Sequence, residues 1–195
     1  MTETSNNLEL QVTEVYFSVQ GESTYMGELC FFIRLSGCNL RCTWCDTEYG
    51  FDAGGKMSIA SILSKLKDLS PTCKLVEVTG GEPLMQENCG PLVDSLLENG
   101  YKVLVETGGS YDISVISDTA VRILDVKCPG SGMHHRNDYE NLKRLTSRDE
   151  VKFVVADKKD YDWAKTIISA YDLVGRCTIL MSPVFETLPI RELTD

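Results

Sequence analysis

Three cysteines stand within eight positions in GCNLRCTWCD, residues 37–46, and thiols at that density bind metal or exchange electrons. A structural zinc site wants four ligands, usually from two paired knuckles. The fourth would have to come from His134, His135 or a lone distant cysteine, and there is no second knuckle. A thioredoxin-like use of Cys42 and Cys45 needs only two thiols at a helix start and leaves Cys38 unexplained. A [4Fe-4S] cluster usually takes four thiolates, so Cys38, Cys42 and Cys45 on one loop leave one iron without a protein ligand and open to a substrate or cofactor. The spacing favours this cluster, with the zinc and redox-disulfide readings still open beside it. A second pattern, TGGEP at residues 79–83, adds two glycines that let the backbone approach a ligand closely. Its Glu82 offers a carboxylate to an ammonium group.

The rest of the chain must position these residues. Its 195 residues are 43% hydrophobic and 25% charged, which suits one soluble globular domain, 1–195. A net charge of -10 argues against a nucleic-acid partner, because such binders gather Lys and Arg into a basic face. A small soluble ligand is the better default. The N-terminus MTETSNNLEL has no basic-then-apolar signal, and no apolar run approaches the ~18 residues of a membrane span. A cytoplasmic protein with no membrane contact is expected, in a compartment that keeps thiols reduced. Cys30, Cys73, Cys89, Cys128 and Cys177 are isolated and read as small buried hydrophobes.

Six apolar, β-branched-rich runs, at 30–37, 74–81, 101–109, 121–130, 150–157 and 177–183, read as buried strands. Between them lie SIASILSKLKDL, GPLVDSLLENG, YDISVISD, NDYENLKRLT and DYDWAKTIISAYDL, which read as helices, the third of them short. Alternating strands and helices imply a parallel α/β sheet, either an incomplete (β/α) barrel or a doubly wound sheet. The cysteine loop, TGGEP, ETGG, DVKCPG and SPVF each fall just behind a strand, so one mouth at the strand C-termini would collect them all.

The loop CxxxCxxC followed by GGEP resembles the radical S-adenosylmethionine (SAM) superfamily, which implies a partial (β/α)6 barrel. The resemblance also implies that SAM chelates the fourth iron through its amino and carboxylate groups and is cleaved reductively to methionine and a 5'-deoxyadenosyl radical. It places the methionyl amine at Gly80, Gly81 and Glu82 and lays Trp44, Cys45 and Asp46 against SAM. Further SAM contacts are implied at Asp125, Val126 and Lys127 and at Ser182, Pro183, Val184 and Phe185, with Glu106 accepting from a ribose hydroxyl. No protein side chain is assigned as a catalytic acid or base.

The stretch EVYFSVQGESTYMGELCFFIRLSGCNL, with Cys45-Asp46-Thr47 behind it, resembles the 7-carboxy-7-deazaguanine synthase family, as do LDVKCPGSGMHH and MSPVF. Members of that family convert 6-carboxy-5,6,7,8-tetrahydropterin to 7-carboxy-7-deazaguanine with loss of ammonia, on the way to queuosine. The resemblance implies substrate contacts from Val19, Gln20, Gly21, Glu22 and Thr79, a pairing of Arg34 with the substrate carboxylate, and Mg2+ at Thr47. It also implies an electron donor such as flavodoxin and a homodimer. Two departures stand out. Glu186 replaces a Gly common in the family, and the sequence stops at Asp195 where relatives continue through another helix, so either this is a fragment or the site closes differently. The rival functions are a radical SAM activase that makes a glycyl radical on a partner protein, and a non-catalytic metal-binding module.

Overall fold

The computed structural model describes residues 7–52, 54–185, 187–189 and 191. Eight strands form one sheet: β1 (Glu9–Val19), β2 (Leu29–Leu35), β3 (Gly55–Ser58), β4 (Leu75–Gly80), β5 (Lys102–Thr107), β6 (Val121–Asp125), β7 (Glu150–Val155) and β8 (Thr178–Pro183). Their order is β3-β1-β2-β4-β5-β6-β7-β8. From β2 to β8 each neighbour runs parallel to the last, whereas β1 pairs antiparallel with both β2 and β3. The six expected strands are therefore the six parallel ones. The antiparallel extension by β1 and β3 was not anticipated.

The helices between these strands are α1 (Ile59–Leu69), α2 (Cys89–Glu98), α3 (Glu140–Arg144) and α4 (Lys158–Ala170). Two start where a side chain satisfies a free N–H: Ser58 accepts from Ser61 N, and Asp157 accepts from Asp160 N. The expected helix at 111–118 is only a 3-10 turn, Ile113–Val115, because Asp112 takes the N–H of Ser114 into a tight local turn. Ile59, Ile62, Leu63 and Leu66 of α1 and Leu92, Val93 and Leu96 of α2 pack with Phe31, Ile33, Val76, Val78 and Val103 in the main core. A smaller apolar cluster, Cys30, Phe32, Leu75, Leu104, Val121 and Ile123, fills the opposite face.

That second face is concave. In a flat sheet β2 and β7 would lie four strand spacings apart, about 19 Å. Yet Lys152 on β7 reaches Glu22, in the loop before β2, at 2.6 Å, and Thr24 in the same loop hydrogen-bonds Glu150 at the base of β7. No side chain spans 19 Å, so the sheet must curl. The architecture is the open partial barrel expected. Of the isolated cysteines, Cys30, Cys89, Cys128 and Cys177 are buried, but Cys73 is only half-buried, because it sits in the loop before β4.

A buried ion pair ties the far edge of the barrel together. Asp149 accepts from Arg122 Nη2 at 2.6 Å and from the N–H of Thr146 at 2.8 Å, with both charged side chains almost fully buried. Burial acts to raise the Asp149 pKa, but the hydrogen bonds from Arg122 outweigh it and hold the group below the ordinary aspartate value. Its stabilisation is therefore present above that ordinary value and lost as pH falls through the lowered one. Asp149→Ala should cost ~3–5 kcal/mol at neutral pH, measured by urea denaturation, with the deficit narrowing under acid.

Candidate active site

The parallel strands end around a cavity of ≈ 630 Å³, with Cys38, Cys42 and Cys45 among its lining residues. The cysteine loop leaves β2 through Gly37, whose φ of 93° suits glycine. The N–H of Gly37 bonds Gly50 O at 2.9 Å, and its carbonyl accepts from Glu82 N at 2.9 Å. Farther along, Thr43 N donates to Ser131 O at 3.1 Å, and Arg41 lies 4.1 Å over the Phe51 ring. Burial raises the pKa of the Cys38 and Cys42 thiols, so a nearby positive charge is needed to hold them as thiolates.

Gly80 and Gly81 allow the ends of β2 and β4 to meet. A Cβ on Gly80 would lie 2.4 Å from Leu35 O, and one on Gly81 would lie 2.5 Å from both Cys38 Cβ and Gly37 O. Glu82, fully buried, accepts from Leu84 N at 3.0 Å, Thr107 Oγ1 at 2.7 Å and Gly108 N at 2.8 Å.

The charged wall is made by β5, β6 and β7. Lys152 Nζ contacts Glu106 and Glu22 and lies 3.9 Å from Asp125. Lys127 pairs with Asp125 Oδ2 at 2.8 Å. Burial would raise the Asp125 pKa, but Lys127 and Lys152 overcome it and keep the carboxylate ionised. Asp125 Oδ1 is buried with no partner among the described residues, an acceptor open to a donor on the cavity wall.

At the other end Arg34 Nε donates to Glu14 Oε1 at 2.8 Å, and Tyr49 OH donates to the same oxygen at 2.8 Å. Gln20 is buried and donates through Nε2 to Glu77. Thr47 Oγ1 donates to Asp46 Oδ1 at 2.7 Å. It makes no capping bond to the turn that follows it.

Residues 32–126 match the Radical SAM superfamily. The chain is 46% identical to the 7-carboxy-7-deazaguanine synthase of Koribacter versatilis, covering 90% of this chain and 78% of that one. It is 37% identical to the enzyme of that name from Chlorobaculum tepidum, covering 98% and 87%. The chain belongs to the 7-carboxy-7-deazaguanine synthase family. Among solved structures, the crystal structure of QueE from Escherichia coli overlays with a TM-score of 0.83 at 22% identity, across 97% of this chain and 91% of that one, which shows a shared fold. Family membership sets aside the activase and the non-catalytic module.

The family uses a [4Fe-4S] cluster and SAM, and the residues present fit both. Among the described residues no three His, Cys, Asp or Glu side chains gather closely enough to hold a single ion. A cluster asks for something else, one thiolate per iron around a larger body, and the three thiols line one cavity. The vacant Asp125 Oδ1 suits an N–H or O–H donor of a polar cofactor.

Of the residues anticipated from sequence, the cavity lining gathers the three cysteines, Trp44, Asp46, Thr47, Gly80, Gly81, Glu106, Asp125, Lys127 and Ser182 to Phe185. It also gathers Val19 to Glu22, Arg34 and Thr79. Glu82 and Val126 are not in it. Glu82 lies behind the wall with three donors of its own chain on its carboxylate, and Val126 is buried with its N–H bonded to Lys152 O at 2.9 Å. Phe185 stands at the rim, 87% exposed, and Glu186 lies outside the described residues. Glu14, Tyr16, Glu77, Thr107, Gly108 and Lys152 were missed. For Glu77 and Lys152 a signal existed, a lone charge inside an apolar strand run.

The two glycine contacts carry a test. Gly81→Ala forces the cysteine loop away from β4, so iron and sulfide content after anaerobic reconstitution should fall at least severalfold. Gly55→Ala, where an added Cβ meets nothing within 4 Å, should reconstitute as wild type.

Proposed function

We propose that this chain is a radical SAM carbon-nitrogen lyase that converts 6-carboxy-5,6,7,8-tetrahydropterin to 7-carboxy-7-deazaguanine with loss of ammonia, in queuosine biosynthesis. The observation that carries this reading is the meeting, in one cavity, of three cluster-type cysteines at one end and Gln20, Glu22 and Arg34 at the other. When bound, the cluster and SAM supply one-electron reduction and hydrogen-atom abstraction, chemistry that no side chain provides.

The chain's own residues bind, orient and exclude water. Cys38, Cys42 and Cys45 would hold the cluster, and Asp125 would anchor SAM through Oδ1 from the β6 end. Glu106 would face the ribose, Gly80 and Gly81 would leave room for the methionyl group, and Trp44 and Leu40 would shield it. Ser182 to Val184 close the same side, with Phe185 at the rim. At the substrate end Arg34, held in plane by Glu14, presents its remaining N–H groups to a carboxylate. The turn from Val19 to Glu22 and the hydroxyl of Thr79 meet the polar ring edge. Thr47, on the cavity wall beside Asp46, would hold Mg2+ through its hydroxyl, and the ion would offset the negative charge of an anionic substrate. A flavodoxin-type donor supplies electrons to a cytoplasmic homodimer. Among the described residues, no helix is long and apolar enough to cross a membrane.

The direct test is anaerobic incubation of reconstituted protein with SAM, a reductant and the carboxypterin, followed by mass spectrometry. Appearance of the deazaguanine with methionine and 5'-deoxyadenosine is expected, and SAM cleavage without that product would overturn the substrate assignment. Arg34→Ala should weaken substrate binding by ~2–4 kcal/mol with little effect on SAM binding. Thr47→Ala should lose most of the stimulation of turnover that a Mg2+ titration gives the wild type.

A further inference from the structure

Glu77 lies on β4 two residues before Thr79, so both side chains leave the same face of the strand, and both line the cavity. Glu77 is 5% exposed, yet no cation among the described residues touches it. The lysines and the arginine of the cavity are engaged elsewhere: Lys152 with Glu22 and Glu106, Lys127 with Asp125, and Arg34 with Glu14. Its one side-chain hydrogen bond among the described residues comes from Gln20 Nε2 to Oε2.

The orientation of that amide is settled by its other end. The backbone N–H of Glu22, which can only donate, reaches Gln20 Oε1 at 3.1 Å. The amide therefore turns its NH2 to Glu77, and Glu77 Oε2 is an acceptor. Any proton on this carboxyl must then sit on Oε1, the oxygen left to the cavity.

The surroundings keep that proton in place. The titratable groups facing Glu77 are Glu106 on β5, Glu22 on the β1–β2 loop, the Cys30 thiol on β2 and Lys152 on β7. Two carboxylates already share the one lysine, so a third negative charge there would be buried and uncompensated. Burial first, and Glu106 second, push the Glu77 pKa up to about 8. The group is therefore neutral at pH 7, and ionises as pH rises through that value.

We propose that Glu77 is a substrate-specificity residue, whose Oε1–H donates a hydrogen bond to a carbonyl oxygen or imine-type nitrogen of the heterocycle seated between the Gln20–Glu22 turn and Thr79. The assignment rests on the substrate end described above and deepens it. A carboxylic acid at this point accepts a ring that presents an acceptor and rejects one that presents N–H, because the donor would be left buried and unpaired. It also admits an anionic substrate that a carboxylate would repel.

The test is the affinity of anaerobic, SAM-loaded protein for 6-carboxytetrahydropterin, measured by calorimetry between pH 6.5 and 9. Wild-type affinity should be level below about pH 7.5 and fall roughly tenfold between pH 7 and pH 9, following the neutral fraction. Glu77→Gln offers the same pattern, an oxygen to Gln20 and an N–H to the ligand, with nothing to titrate. It should bind within about threefold of wild type at pH 7 and stay level to pH 9. Glu77→Leu should bind at least about tenfold more weakly. A Glu77→Gln profile that falls like the wild type, or an affinity as poor as that of Glu77→Leu, overturns the proposal. Wild-type protein that holds SAM yet binds no carboxypterin at any pH overturns both the proposal and the substrate assignment beneath it.

Discussion

The buried carboxylate of Glu82 holds the site together. Its two oxygens collect an N–H of the turn behind β4, the hydroxyl of Thr107 and the N–H of Gly108 at the end of β5, while its own N–H holds the carbonyl of Gly37 behind β2. One residue thereby joins three strand ends. Burial pushes its pKa up, and an unsatisfied carboxylate in that place would cost several kcal/mol; the donors must stay where they are for the group to remain buried. The cysteine loop is consequently fixed to the sheet at its first residue, with the open backbone of Gly80 and Gly81 beneath it. A metal-binding loop anchored in this way loses little further entropy when its ligands engage.

The charges of the cavity follow from the same concern with burial. The chain is acidic overall, yet its interior wall places Lys127 and Lys152 where Asp125, Glu106 and Glu22 converge. Each lysine is held protonated against burial by carboxylates, and the two lysines in turn hold Asp125 ionised, whereas Glu77 touches no lysine among the described residues. Two kinds of acid in one cavity result: Asp125, ionised and accepting, and Glu77, neutral and donating. The same residue type serves opposite recognition tasks because its neighbours differ.

Much of this was legible in the sequence, for physical reasons that also explain what was not. Parallel strands buried on both faces read as continuous apolar runs, so β2 and β4 to β7 declared themselves, and β8, a half-buried edge strand, was legible from its apolar run CTILM. β1 alternates exposed and buried residues over its first half, and β3 is a four-residue edge containing glycine; neither resembles a central strand. The cysteines, TGGEP and the Gln20–Glu22 turn were recognisable because their chemistry demands fixed spacing along the chain. Glu77 and Lys152 showed only as charges inside apolar runs, because their partners lie 57 and 130 residues away, and Glu14 meets Arg34, 20 residues on, only through the register of the β1–β2 pair. Glu82 was legible within TGGEP, but its bonds to Thr107 Oγ1 and Gly108 N were not, because those donors lie 25 and 26 residues away on β5 and the turn behind it.

The curl also decides how the substrate end can work. Glu22 reaches Lys152 across the open side of the barrel, but its side chain is 60% exposed while that of Lys152 is 8% exposed. An ion pair so open to water on one side contributes little, ~0.2–1 kcal/mol. If a substrate draws Glu22 away, Lys152 keeps Glu106 in contact and Asp125 close by, so no buried charge is stranded. The backbone of the turn stays in place meanwhile, because Gln20 is bonded through its N–H and carbonyl to Glu28 and Gly27 at 2.8 Å each. Glu22 can therefore exchange a lysine for a ligand at small cost while the turn that carries it remains rigid, which is what recognition by a preorganised site requires.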